Sequence, residues 1–270
     1  MALYGIIGDV HGNREALSSV LVFLEGRGVK EFLSVGDIVG FNADPEDCIA
    51  LMRKRGVRSI AGNHDLISIH RLDFDRCCDK AAYALKRTRS VLTEDGMEYL
   101  ASLPRMMVME QRFAFVHGSL RDVQEYVRTC DQVREAGILL QTGYSGVRVC
   151  FFGHTHEQRV FELDGETVRE LPAAPVEGLV RLSGERRYFI NPGSVDASRK
   201  SEGKLAECAI LDSTETTVEF CRIPYDHAAA EERAKTLGYR MSRTDAFLYS
   251  LRRRVRNRVR RWSGIDGDRR

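Results

Sequence analysis

The sequence has no apolar run near the ~20 residues that a membrane-spanning helix needs, no Cys-x-x-Cys pair, and no internal repeat or low-complexity linker. The first absence argues against a spanning helix. The second excludes a zinc ribbon or a thioredoxin-type motif. No basic segment precedes the apolar run Ala2–Ile7, as one would in a secretory leader, so the expected location is cytoplasmic. Seven cysteines, at 48, 77, 78, 130, 150, 208 and 221, make an odd count that suits reduced thiols in that compartment. The pair Cys77–Cys78 admits a redox or metal reading, but ordinary thiols in a helix account for it. What is present is globular: 270 residues, 43% hydrophobic, enough for one large domain or two small ones.

Charge is unevenly spread. Residues 251–270 carry nine arginines (252, 253, 254, 256, 258, 260, 261, 269 and 270) against Asp266 and Asp268, a net +7. The whole chain is +2, so the first 250 residues sum to −5. Leu248, Leu251, Val255, Val259 and Trp262 recur at helical steps leading into and through this basic segment. Three readings stand for it: a terminal helix docked on the domain, a basic amphipathic helix on an anionic membrane, or a nucleic-acid or partner contact. The expected organisation is one domain over 1–238, with a helical excursion at 67–103, followed by a basic amphipathic helix and tail over 239–270.

The first half alternates short apolar runs with helical patterns. Ala2–Ile7, Glu31–Val35 and Val57–Ile60 read as strands. Between them lie helices over Asn13–Glu25, with Leu17, Val20, Leu21 and Leu24 on one face, and Pro45–Arg55, with Pro at its start and Gly56 beyond its end. That order implies a parallel sheet with right-handed crossovers. Met106–Val116 and Val147–Phe152 are further strand candidates. The second half reads as hairpins: Gln158–Leu163 with Glu166–Leu171 about Asp164-Gly165, Leu179–Ser183 with Arg186–Ile190, and Leu205–Leu211 with Thr216–Arg222. This pattern implies two sheets packed face to face with helices outside.

The residues at the strand ends carry the chemistry. Gly8-Asp9-Val10-His11, Gly36-Asp37, Gly62-Asn63-His64-Asp65, His117-Gly118 and Gly153-His154-Thr155-His156 each end an apolar strand. Sites in such sheets form at the carboxyl ends of strands, where loops converge, and glycine there permits close approach. Five of the seven histidines occupy these positions, and His70 and His227, which do not, are expected at the surface. Nitrogen and oxygen donors without thiolate suit Mn²⁺, Fe, Zn²⁺, Co²⁺ or Ni²⁺ rather than Ca²⁺. Seven such residues exceed what one tetrahedral ion takes and suit two ions, with the carboxylate of Asp37 as the candidate bridge.

The ordered set Asp9-x-His11, Gly36-Asp37, Gly62-Asn63-His64, His117 and Gly153-His154-x-His156 resembles the calcineurin-like metallophosphoesterase superfamily over roughly residues 1–225. Gly36-Asp37-Ile38-Val39-Gly40, Asp44-Pro45, Cys48 and Asn191-Pro192-Gly193-Ser194 are similar to its small bacterial and archaeal phosphodiesterase-like members. The resemblance implies an α/β fold, a four-layer α/β/β/α sandwich with two mixed sheets. It also implies two divalent cations, Mn²⁺ first, one held by Asp9, His11, Asp37 and His156 and the other by Asp37, Asn63, His117 and His154. The Asp-Arg or Asn-Arg step of protein Ser/Thr phosphatases and symmetrical dinucleoside tetraphosphatases is replaced by Ile38-Val39-Gly40-Phe41, which argues against that branch. Where the small members often continue Gly-Gln-Pro-Arg, this chain has Asp196-Ala197-Ser198-Arg199, with Arg199 as the candidate phosphate contact.

The expected reaction is hydrolysis of a phosphodiester or phosphoanhydride by a bridging hydroxide, with His64, beside Asn63, protonating the leaving oxygen or stabilising charge on the phosphoryl group, a structural histidine being the competing reading. The substrate expected is a phosphate-ester small molecule or a nucleotide. Phosphomonoesterase, nuclease and non-catalytic scaffold are the competing readings, the last weakened because every ligand position is filled.

Overall fold

The computed structural model describes residues 2–172, 178–198, 200, 203–249 and 251. The chain opens with β1 (Leu3–Ile7), α1 (Arg14–Gly26), β2 (Glu31–Ser34), α2 (Pro45–Lys54) and β3 (Arg58–Ser59). Asn13 starts α1 by accepting the Ala16 N–H on its Oδ1, and Pro45 begins α2 where a missing N–H costs nothing. Strands β1, β2 and β3 run parallel, as the alternation implies. Then come α3 (Asn63–Ser68), α4 (Asp79–Val91), α5 (Glu94–Ser102), β4 (Met106–Met109), β5 (Phe113–Val116), α6 (Cys130–Gly143) and β6 (Val149–Phe151). The last third holds β7 (Gln158–Asp164), β8 (Thr167–Leu171), β9 (Leu179–Arg181), β10 (Arg187–Pro192), β11 (Ala206–Asp212), β12 (Thr217–Ile223) and α7 (His227–Thr236).

Two mixed six-stranded sheets result, in the orders β3-β2-β1-β11-β12-β9 and β4-β5-β6-β10-β7-β8. Ile6, Leu33 and Leu211 of the first face Phe115, Phe151 and Ile190 of the second in one apolar core. The outer face of the first sheet packs on α1, α2 and α5 through Leu17, Leu21, Met52 and Leu100. The outer face of the second packs on α6 through Val133, Ala136 and Leu140. The fold is therefore the four-layer α/β/β/α sandwich expected. Phe151 is fully buried between the sheets and stacks on Phe115 at 5.2 Å. Phe151→Ala should cost about 3–5 kcal/mol of stability, read from urea unfolding of the metal-free protein.

Three local expectations need correction. Met106–Val116 is a hairpin rather than one strand, reversed at Glu110 and Gln111, which both adopt positive φ (50° and 55°). Leu179–Ser183 and Arg186–Ile190 do not pair with each other. β9 adds to the edge of the first sheet beside β12, while β10 enters the centre of the second between β6 and β7. The physical reason is burial: β10 places Tyr188 and Ile190 in the inter-sheet core and Phe189 against α6, so it needs cover on both faces. Helix α6 has no counterpart among the expected elements, although Thr129 and Gln132 form a reciprocal cap at its start.

Tyr239 is buried and Arg240 bonds to Phe41 O and Asn42 Oδ1, so packing against the body continues past residue 238. Of the apolar stripe in the basic segment, only Leu248 and Leu251 lie among the described residues, and both are exposed (44% and 46%). The nine arginines, Val255, Val259 and Trp262 lie outside the described residues, and so does Arg199. No helix among the described residues is long and apolar enough to cross a membrane.

Candidate metal centre

The parallel strands of both sheets deliver their following loops to one place. Asp9 and His11 follow β1, Asp37 follows β2, Asn63 and His64 open α3 after β3, His117 follows β5, and His154 and His156 follow β6. Asp9, His11, Asp37, His154 and His156 all have φ between 52° and 68°, a conformation that L residues adopt at a cost of about 1–3 kcal/mol each. Ladder-like bonds between loops hold them there: Asp9 N–H to Gly36 O (3.0 Å), His11 N–H to Asp37 O (2.9 Å) and Gly12 N–H to Ile38 O (2.8 Å). Five strained residues in one cluster mark side chains whose direction matters more than local backbone energy.

The donor atoms fall into overlapping groups. Asp9, His11 and His156 present one ligand atom each within 4.8 Å of one another, and so do Asp37, His117 and His154. His11 Nε2 lies 3.0 Å from His156 Nε2 and 3.8 Å from Asp37 Oδ2, while His156 Nε2 lies 3.3 Å from Asp9 Oδ1. On the other side, His117 Nε2 is 3.2 Å from Asp37 Oδ2 and 2.9 Å from Asn63 Oδ1. Asp37 thus stands between both groups. A third group joins His64 to His11 and Asp37, placing it at the centre's margin. His64 is 6% exposed, and its ring meets those of His11 (4.6 Å) and Phe41 (5.0 Å). His70 and His227 are exposed and join no cluster among the described residues, as expected.

These residues fit divalent cations. His117 Nδ1 is 2.8 Å from Val35 O, which only accepts, so Nδ1–H donates and Nε2 is turned inward. His154 Nε2 is buried with no hydrogen-bond partner. An orphaned imidazole nitrogen among carboxylates costs stability unless a ligand takes it. Gly62 is needed here because a Cβ would overlap Asp37 Oδ1 and the Asp37 backbone nitrogen.

Electrostatics agree. Burial pushes the Asp37 carboxyl up, but His117, His64 and His11 outweigh it and hold Asp37 well below the usual carboxylate range. Burial likewise disfavours charge on His117, yet the Asp37 carboxylate wins and raises it to about 9. His154 is lowered to about 3 by burial and the charge of His117. A cation binding His117 Nε2 must therefore displace a proton. Mn²⁺ affinity should rise about tenfold per pH unit from 7 towards 9, with about one proton released per protein. Titration calorimetry in buffers of different ionisation enthalpy measures both, and a flat profile would contradict it. The raised His117 value also stabilises the metal-free fold below about pH 6.5, a contribution lost as pH rises through about 9. Metal-free protein should then melt lower at pH 9 than at pH 7.

Two residues at the centre carry roles not anticipated from sequence. Asp65 is fully buried and accepts N–H groups from Asp37 (2.9 Å), Ile38 (2.9 Å), Val39 (3.1 Å) and Gly62 (2.9 Å), shaping the loop that presents Asp37. Burial and the Asp37 charge raise it to about 7. Its signal was its place three residues after Gly62, where an acid caps a helix start. Tyr126, in the loop before α6, stacks on the His154 ring at 4.0 Å, with Arg128 4.6 Å from its own ring centre. No pattern in the sequence marks it. Asp196, the departure beside Arg199, is buried and accepts Asn13 Nδ2 (2.9 Å) and Ser198 Oγ (2.7 Å).

Comparison with known proteins places this geometry. The family model described as the calcineurin-like phosphoesterase superfamily domain matches residues 2–216. An uncharacterized protein of Methanocaldococcus jannaschii is 30% identical over 239 residues, covering 86% of this chain and 91% of that protein. The crystal structure of a metallophosphoesterase from Sphaerobacter thermophilus superposes with a TM-score of 0.73 at 29% identity, covering 87% of this chain and 94% of the other. A hypothetical protein of Pyrococcus horikoshii OT3 shares the fold, with a TM-score of 0.69 at 19% identity over 87% and 93% of the two chains.

Proposed function

The chain belongs to the calcineurin-like phosphoesterase superfamily, and from that premise we propose that it hydrolyses a phosphodiester or phosphoanhydride bond in a phosphate-ester small molecule or nucleotide. The observation that carries this reading is the pair of donor groups, Asp9-His11-His156 and Asp37-His117-His154, with Asp37 reaching both. Asp9, His11, Asp37 and His156 would hold one divalent cation, and Asp37, Asn63, His117 and His154 the other. Two such ions, Mn²⁺ ahead of Fe, Zn²⁺, Co²⁺ and Ni²⁺, would supply Lewis acidity to the phosphoryl oxygens and a hydroxide nucleophile from water.

The chain's own groups do the rest. Asp37 Oδ1 accepts the His64 N–H (2.8 Å), which locks the start of α3 to the β2 loop and sets His64 against the centre. His154 N–H lies 3.2 Å from both Asp9 carboxylate oxygens and fixes that carboxylate towards His156. His64 gives its proton to the leaving oxygen as the bond to phosphorus breaks. The test is Mn²⁺-dependent hydrolysis of bis(p-nitrophenyl) phosphate beside p-nitrophenyl phosphate. Chelator-sensitive diester turnover above monoester turnover is the expected result. Turnover of neither, nor of a phosphoanhydride such as ATP, with two equivalents of metal bound, would overturn the reading in favour of a scaffold.

A further inference from the structure

Two cavities, which share Lys200 in their walls, open beside the metal centre. One, about 770 Å³, includes His156, Arg128, Glu157 and Asp196 in its wall and mixes both charge signs. The other, about 700 Å³, lies beside α7 and reaches the centre at Phe41, whose ring is 4.9 Å from His11 and 5.0 Å from His64. Both volumes suit a small organic ligand. The α7-side wall carries Lys80, Lys200, Lys204 and Arg240 against one acid, Glu231, together with the ring of Tyr225. That is the opposite sign to the acidic body in which it lies, where residues 1–250 sum to −5.

Two of the four cations are already spent: Lys200 pairs with Glu207 (2.6 Å) and Arg240 with Glu231 (2.7 Å). Lys204 donates to Ser198 O (2.7 Å) and Lys200 O, which fixes its ammonium in place. Lys80 is exposed on α4, and neither it nor Lys204 forms an ion pair among the described residues. Glu231, already paired with Arg240, also feels the charge of Lys204. Four cations against one acid nevertheless leave the wall with an excess of positive charge, and at a partly enclosed wall such an excess attracts an anion more strongly than on open surface.

We propose that this cavity is the subsite for the leaving-group arm of the substrate, and that Lys80 and Lys204 select an arm bearing a second phosphate. The arm is assigned by proximity, because the cavity meets the centre at Phe41, beside the proton donor His64. The inference rests on the phosphoesterase reading above, but its test is a binding measurement that stands apart from turnover.

Calorimetry of the full-length, Mn²⁺-loaded protein with 5′-AMP and with adenosine 3′,5′-bisphosphate compares one phosphate with two on the same ring system. The bisphosphate should bind about tenfold more tightly than the monophosphate. In Lys80→Glu that preference should fall below about threefold. Lys204→Gln, which removes the second ammonium without adding charge, should reduce the preference in the same direction. Equal binding of the two nucleotides by the unaltered protein overturns the subsite, as does a preference that survives in both variants. A preference lost in the variants of a protein that hydrolyses neither diester nor anhydride would leave the phosphate-binding cavity standing and sink the proposed reaction instead.

Discussion

Asp37→Asn should lower diester turnover on the order of 10³-fold, about 4 kcal/mol of transition-state stabilisation. It should also leave the protein unable to hold a full complement of metal. The size of the loss reflects position. Among the described residues, Asp37 is the carboxylate whose oxygen lies within reach of both donor groups, 3.8 Å from His11 Nε2 and 3.2 Å from His117 Nε2. In the proposed two-cation arrangement, its loss would remove a ligand from each cation and the negative charge that balances them. The fold should survive, because asparagine keeps the oxygen that accepts the His64 N–H, and the Asp65 bonds to the loop backbone are untouched. Elemental analysis and the melting temperature of the metal-free form separate the two effects. Metal content falling well below two equivalents at an unchanged metal-free melting temperature is the expected pair of results. Turnover within tenfold of the parent, with two equivalents retained, would mean that Asp37 is not shared between the cations.

Why the centre could be read from sequence while parts of the fold could not comes down to what each depends on. The site residues sit next to the strands that position them. A strand, a glycine and a donor in that order is a local pattern, and its five occurrences meet because parallel strands end on the same side of a sheet. Pairing is different. Ser183 and Arg186 are close enough in sequence for a hairpin, and nothing local says that the strands on either side join different sheets. Tyr188 marks the corner, since its hydroxyl accepts the Ser183 N–H (3.0 Å) and donates to Glu162 (2.9 Å). That network exists only after both sheets are stacked. Asp65 and Tyr126 escaped for the same reason. Asp65 works on a loop nearly 30 residues earlier in the chain, and Tyr126 works by stacking on a ring 28 positions later. The left-handed backbone at Asp9, His11, Asp37, His154 and His156 is likewise a product of loops braced against one another, not of residue type.

His64→Ala should behave differently from Asp37→Asn, and the contrast identifies the proton donor. His64 belongs to neither main donor group, and its ring meets His11 and Phe41 at the edge of the centre. Removing it should lower kcat by about 10²–10⁴-fold, the range of general acid catalysis, while both metal equivalents remain. The loss should be smaller for bis(p-nitrophenyl) phosphate, whose leaving group departs readily as an anion, than for a diester of an aliphatic alcohol, which must be protonated as it leaves. A structural role for His64 would depress both substrates equally, so the ratio between them is the decisive measurement. Gly40→Ala offers a second approach from the opposite direction. A Cβ at Gly40, where φ is +113°, would collide with His64 Nδ1 and push the ring off its position without removing the imidazole. If His64 is the acid, that variant should share the leaving-group dependence of His64→Ala in weaker form and keep its metals. Equal losses on both substrates in both variants would instead assign His64 to holding the Asp37 loop in place.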